Sequence, residues 1–176
     1  MNWKVKNAET VLETPFVCVT KHEAQLPDGR MIPDFYTVTI PDATLIVALT
    51  ADQKILLKKE YRLACQTDVI ECPAGMVEKG EKPLETAKRE LLEETGYTSD
   101  HWTYLGPTWE STSKLTNTMH LFLAENCIQA SSQHLDRNEQ IDVFSVPLIE
   151  AVEMVMAGTI NANSTAHAIL KVMHFN

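Results

Sequence analysis

The sequence predicts an α+β fold with a small N-terminal β-strand extension, and three observations carry that prediction. Residues 44–49 and 54–58 are two apolar, β-branched runs separated by the short turn Ala51-Asp52-Gln53, which reads as a hairpin of buried strands. Residues 83–95 read as a helix with both ends marked, and two further helices follow near the C-terminus. Before residue 40 the chain alternates around Pro27-Asp28-Gly29 as a separate small hairpin does. The 176 residues, 44% apolar and 22% charged, suffice for one core of ordinary size. Residues 1–40 are assigned to N-terminal strands and residues 41–176 to the main domain.

The elements follow in order. Phe16-Val17-Cys18-Val19 and Phe35-Tyr36-Thr37-Val38-Thr39 alternate as strands on either side of the first turn. After the 44–58 hairpin, residues 68–72 make a short strand stopped by Pro73, and residues 74–82 carry the Gly and charge content of a loop. In the helix at 83–95 proline occupies the first turn, where no N–H is missed, and Gly96 supplies a left-handed stop. Residues 102–105 and 119–124 read as strands flanking a loop at 107–117, and residues 140–146 as another strand. Pro147 opens a helix that Gly158 closes, and Ser164 caps a last helix built on Ala168, Leu170, Val172 and Met173.

Composition narrows the partners. The longest purely apolar run, residues 45–49, is far short of the roughly 20 residues of a membrane span, and residues 1–6 lack a secretory apolar segment. A cytoplasmic protein without membrane contact is expected. The net charge of −9 argues against nucleic acid, which is bound through broad basic attraction. Cys18, Cys65, Cys72 and Cys127 form no Cys-x-x-Cys pair, so neither zinc nor a redox dithiol is indicated.

Residues 71–94 concentrate seven glutamates, and Gly75, Gly80 and Gly96 are three of the six glycines in the chain. On a helix at 83–95, Glu90, Glu93 and Glu94 share an arc of about 100°, bordered by the apolar stripe of Leu84, Ala87 and Leu91. Two carboxylates about 5 Å apart repel by roughly 3 kcal/mol at an effective dielectric near 20, which raises a pKa or calls for a cation. No Cys or His shares the arc, so the hard ions Mg²⁺ or Mn²⁺ suit it better than zinc or iron. The competing reading is a solvated helix in which Arg89 bridges Glu85 and Glu93.

The full spacing favours the site. From Gly75 there are five residues to Glu81 and seven more to Arg89-Glu90, then Leu91, a free position, Glu93-Glu94, another free position, Gly96 and Tyr97. This resembles the box of the Nudix hydrolases, with Tyr97 standing where an aliphatic residue is usual. The resemblance implies an α/β/α sandwich around a mixed sheet and metal-dependent hydrolysis of a nucleoside diphosphate linked to another group. It implies Glu90 and Glu94 as metal ligands, Glu93 as a further ligand or a water-orienting catalytic residue, Arg89 as the residue that holds a box glutamate, and Glu81 as an orienting acid.

Glu60-Tyr61-Arg62 followed by Ile70-Glu71-Cys72-Pro73-Ala74-Gly75 is similar to the ADP-ribose and ADP-sugar pyrophosphatase branch. That similarity implies the Ala74 carbonyl as a metal ligand, Arg62 against substrate phosphate with Gly75 beside it, and a homodimer in which N-terminal strands reach the partner. The acidic loop Asp136-Arg137-Asn138-Glu139-Gln140 implies Glu139 as a base or further ligand, with Glu110 in reserve. A proline usual in ADP-ribose members is absent from Trp109-Glu110-Ser111-Thr112-Ser113-Lys114. Trp109 offers a ring to stack on a base and Lys114 an ammonium for phosphate, against plain packing and solvation. The expected products are NMP and a sugar phosphate; a triphosphate pyrophosphatase, a dinucleotide hydrolase and a non-catalytic nucleotide sensor are the alternatives.

Overall fold

A computed structural model of the chain describes residues 2–173; Met1 and residues 174–176, the outer ends of the two assigned domains, lie outside the described residues. The chain divides into two compact units, one comprising residues up to Asp42 with Trp109–Thr118, the other Ala43–Thr108 with the chain from Met119 onward.

In the first unit β1 (Lys4–Glu13), β2 (Cys18–Gln25) and β3 (Met31–Thr39) form an antiparallel sheet in that order. The expected turn is present: Gly29 takes φ +90°, and the Leu26 N–H donates to the Arg30 carbonyl at 2.9 Å. Strand β1 lies within the residues assigned to N-terminal strands, but no alternation marks its bounds. All ten of its residues are exposed, so burial imposes no apolar period on it. The segment Trp109–Thr118 is tied to β3, since the Val38 N–H donates to the Lys114 carbonyl at 2.8 Å and the Val38 carbonyl accepts from the Thr116 N–H at 3.1 Å.

The second unit holds β4 (Ala43–Thr50), β5 (Lys54–Arg62), β6 (Thr67–Glu71), β7 (Ala74–Met76), β8 (Tyr97–Thr98), β9 (His101–Thr108), β10 (Met119–Gln129) and β11 (Ile141–Pro147), with helices α1 (Pro83–Thr95), α2 (Leu148–Met156) and α3 (Asn163–Val172). Its sheet runs β11-β5-β4-β10-β8, with β6 on β5, β7 on β4 and β9 on β10. Strands β4 and β10 pair in parallel and their other pairings are antiparallel, so the sheet is mixed.

Strand alternation builds the layers. Leu45, Val47 and Leu49 of β4 pack in one cluster with Leu57, Leu121 and the α2–α3 residues Ala151, Ala168 and Ile169. Ile46 and Ala48 point the other way, into a cluster with Leu56, Phe122 and the α1 residues Ala87 and Leu91. Helices therefore cover both faces, which is why residues 44–49 read as an uninterrupted apolar run. The expected α/β/α sandwich around a mixed sheet is what this unit forms.

Two local expectations are corrected. Residues 74–82 are not wholly loop: Ala74, Gly75 and Met76 pair with Leu45, Thr44 and Ala43 as β7. Ser164 does not cap the last helix. The Ala166 N–H bonds the Ala162 carbonyl at 2.9 Å, so the helix starts two residues earlier, with Ala162 at its cap and Ser164 buried inside it.

Candidate active site

Helix α1 occupies the span read from sequence, with proline in its first turn and Gly96 at φ +75° closing it through an N–H bond to the Leu92 carbonyl. Ala87 and Leu91 anchor it to the sheet. Its acidic side thereby faces the β4–β7 pair, where Gly75 lies beneath the Glu90 carboxylate.

Arg89 organises the box. Its Nε and Nη2 donate to the two oxygens of Glu81 at 3.2 and 3.1 Å, and its Nη1 donates to Glu90 Oε1 at 2.7 Å and Glu93 Oε2 at 3.0 Å. The Thr86 hydroxyl donates to Glu81 Oε2 at 2.7 Å. This replaces the solvated-helix arrangement in its detail: Arg89 bridges from Glu81 in the loop to two box glutamates, and Glu85 is not among its hydrogen-bonded partners. The Arg89 bonds, outweighing burial and helped by Thr86, hold the Glu81 carboxyl down to about 2. Burial lifts Glu90 above the ordinary carboxylate value against the pull of Arg89, and the charges of Glu93 and Glu139 lift it further.

Glu94 is the most enclosed of the acids. One oxygen accepts the Ala74 N–H at 3.0 Å, and the other accepts from the ammonium of Lys58, itself 1% exposed. Burial pushes the Glu94 carboxyl up to about 7, with Lys58 and the Ala74 N–H opposing. Lys58 is the site residue that sequence reasoning missed. Its signal was parity: two residues beyond Leu56, it lies on the α1 face of β5 together with Glu60 and Arg62. Glu60 lies 3.4 Å from Lys58 Nζ and 3.2 Å from Arg62 Nη1, while Arg62 Nε and Nη2 donate to Glu71 Oε2 at 2.9 and 2.6 Å.

The loop after β10 closes the back of the box. Gln133 Nε2 donates to the Glu94 carbonyl at 2.7 Å and the Ile141 carbonyl at 3.2 Å, and the His134 N–H donates to the Glu93 carbonyl at 2.8 Å. Glu139 accepts the Asp136 N–H within its own loop at 3.0 Å and lies near enough to act on Glu90 by charge. Trp109 and Lys114 belong to the other unit, where Trp109 is exposed and the Lys114 ammonium stands 4.5 Å from the Phe35 ring centroid.

With this geometry in hand, comparison with known proteins is decisive: the NUDIX domain family matches residues 39–166. The chain belongs to the Nudix family. Residues 3–38 of this Nudix chain match a second family, the nucleoside diphosphate sugar hydrolase N-terminal domain. An ADP-ribose pyrophosphatase of Bacillus subtilis (strain 168) is 34% identical over 84% of this chain and 80% of its own length. A methanol dehydrogenase activator of Bacillus methanolicus is 29% identical over 94% of this chain and 90% of its own. A crystal structure of an ADP compounds hydrolase superposes with a TM-score of 0.85 over 99% of this chain and 94% of that one; at 21% identity it shows the shared Nudix fold.

Among the described residues, no three His, Cys, Asp or Glu side chains form a ready metal cage. Such a cage is not what Mg²⁺ needs, because it keeps several waters and is typically bound by one or two carboxylates together with substrate phosphate. The Nudix box fits that demand. Its donors are all hard oxygens, and the missing side chain at Gly75 leaves the space that the Glu90 carboxylate occupies beside the Ala74–Gly75 backbone. Among the described residues no helix is long and apolar enough to cross a membrane.

Proposed function

We propose that this Nudix enzyme hydrolyses the pyrophosphate bond of a nucleoside diphosphate sugar, ADP-ribose first among the candidates, to NMP and a sugar phosphate, using Mg²⁺ or Mn²⁺. The observation that carries the reading is the convergence of the Glu90 and Glu94 carboxylates on the Ala74–Gly75 backbone, with Arg89 holding the box glutamates from the side. Similarity to the ADP-ribose pyrophosphatase of B. subtilis and to the sugar-hydrolase N-terminal family supports this substrate class.

Glu90, Glu94 and the Ala74 carbonyl would hold the cation, which when bound lowers the pKa of a ligating water and offsets diphosphate charge. The chain's own residues do the rest. Arg89 fixes Glu90 and Glu93 relative to each other, so Glu93, the more exposed of the pair, orients the attacking water. Glu139 receives its proton. Arg62 is held by Glu60 and Glu71 but retains guanidinium donors for a phosphate oxygen, and Gly75, whose missing side chain makes room for the Glu90 carboxylate, is a proposed substrate contact through its backbone. Trp109 and Lys114 are proposed substrate contacts on their chemistry alone, a ring for the base and an ammonium for phosphate. We further propose a cytoplasmic homodimer formed through residues 1–40, supported by the exposed Trp3, Val5, Val11, Leu12 and Phe16 of that segment.

The test is product identification from ADP-ribose, ADP-glucose, GDP-mannose, NADH, diadenosine polyphosphates and dNTPs with Mg²⁺ or Mn²⁺. AMP and ribose 5-phosphate from ADP-ribose are expected. Turnover confined to dNTPs, giving NMP and pyrophosphate, would replace this reading with a triphosphate pyrophosphatase. The Thr112 that stands where ADP-ribose members usually carry proline is the observation that keeps that alternative in the panel.

A further inference from the structure

Lys58 is the largest fully buried side chain whose charge is not accounted for by the hydrolytic reading. A lysine is almost never buried without a partner, and this one is aimed into the box. Its ammonium contacts Glu94 Oε1 and stands 3.4 Å from Glu60 Oε2. The other Glu94 oxygen already accepts the Ala74 N–H.

A free carboxylate between two cations can bridge them, one on each oxygen. In this chain one oxygen of Glu94 is taken by a fixed positive charge. A divalent ion on that same oxygen would meet twice the repulsion that two unit charges feel at equal distance. The remaining oxygen accepts the Ala74 N–H, next to Gly75, over which the Glu90 carboxylate lies.

We propose that Lys58 is a built-in cation that restricts Glu94 to a single divalent ion, so that it works as a positioning residue which sets the metal stoichiometry of the box. The inference rests on the metal arrangement proposed above and adds a count to it. Lys58 occupies the place of a further ion, and the enzyme takes its metal on the Glu90–Ala74 side.

The experiment is Mn²⁺ binding followed by electron paramagnetic resonance on the full chain, with thermal melts of each variant. The variants are Lys58→Met, Lys58→Gln, Lys58→Arg and Glu90→Gln. Lys58→Met should bind one Mn²⁺ per chain more than the unmodified protein, and Lys58→Arg, which keeps the charge, should bind the same number as the unmodified protein. Lys58→Gln keeps a donor without charge, so it should also gain one ion; it decides the matter if Lys58→Met does not fold. Unchanged stoichiometry in a folded Lys58→Met or Lys58→Gln, in a protein whose Mn²⁺ binding is weakened by Glu90→Gln, overturns the role of Lys58 alone. Absence of Mn²⁺ binding, or binding indifferent to Glu90→Gln, overturns the metal arrangement itself.

Discussion

The Glu90 carboxylate lies directly over Gly75: a β carbon at that glycine would stand 2.0 Å from Glu90 Oε1. The obstructing group is the end of a flexible side chain, so Gly75→Ala displaces the carboxylate rather than the backbone. The variant is expected to melt within a few degrees of the parent while losing about 10²-fold in kcat/KM, the scale of a 1 Å misplacement. Unchanged Mn²⁺ affinity in this variant would remove Glu90 from the ligand set.

Glu81 is predicted to tie acid stability to the box. Its folded-state pKa, about 2 against an ordinary 4.5, is depressed, so its contribution is fully present above pH 4.5 and fades as the pH falls towards 2. Glu81→Gln should lower stability at pH 7 by about 1.5–3 kcal/mol, the range for a hydrogen bond to a charged group. Denaturant titrations at pH 7 and pH 3 should then show the variant and parent converging in acid. A constant gap between them would contradict the assignment.

Arg89→Lys tests the fork. Lysine keeps the charge but cannot span Glu81, Glu90 and Glu93 at once, because it presents a point donor in place of a planar one. A loss of about 10–100-fold in metal affinity is expected, as for other residues that orient metal ligands. Wild-type affinity measured by Mn²⁺ titration would mean that Arg89 serves only packing.

Two glycines separate strain from collision. Gly158 at φ +78° faces open space, whereas a β carbon on Gly96 at φ +75° would meet the Ser131 carbonyl oxygen at 2.3 Å. Gly158→Ala should cost about 1–2 kcal/mol from the left-handed backbone alone. Gly96→Ala should cost clearly more, since a backbone oxygen must also move. Equal unfolding midpoints would show that the loop at Ser131 yields freely.

Much of the site was legible because it is local. The box spacing lies within residues 75–97, and helical geometry alone gathers Glu90, Glu93 and Glu94 on one arc. Glu93 was legible as a partner of Arg89, but its loop partner was not. Wheel geometry offered Glu85 one turn back, but Glu81, outside the helix, reaches Arg89 because the loop folds over α1 and Thr86 pins it there. The bounds of strand β1 escaped notice because a fully exposed strand carries no apolar period. Strand β7 escaped because three residues bearing a glycine look like loop until β4 pairs with them.

The sequence by itself determined the family, the bounds of α1, the acidic arc and the apolar run that becomes the central strand. These are properties of neighbours along the chain, set by helix and strand periods and by proline and glycine at element ends. Only the tertiary structure decided that Lys58 stands against Glu94, that Ala74 donates its N–H to the same carboxylate, and that Gln133 holds the back of the helix to β11. Lys58 and Ala74 lie 36 and 20 positions from Glu94, and Gln133 bonds residues 39 and 8 positions away. Their contact depends on sheet order and on which face each strand residue takes, and no local period encodes strand order.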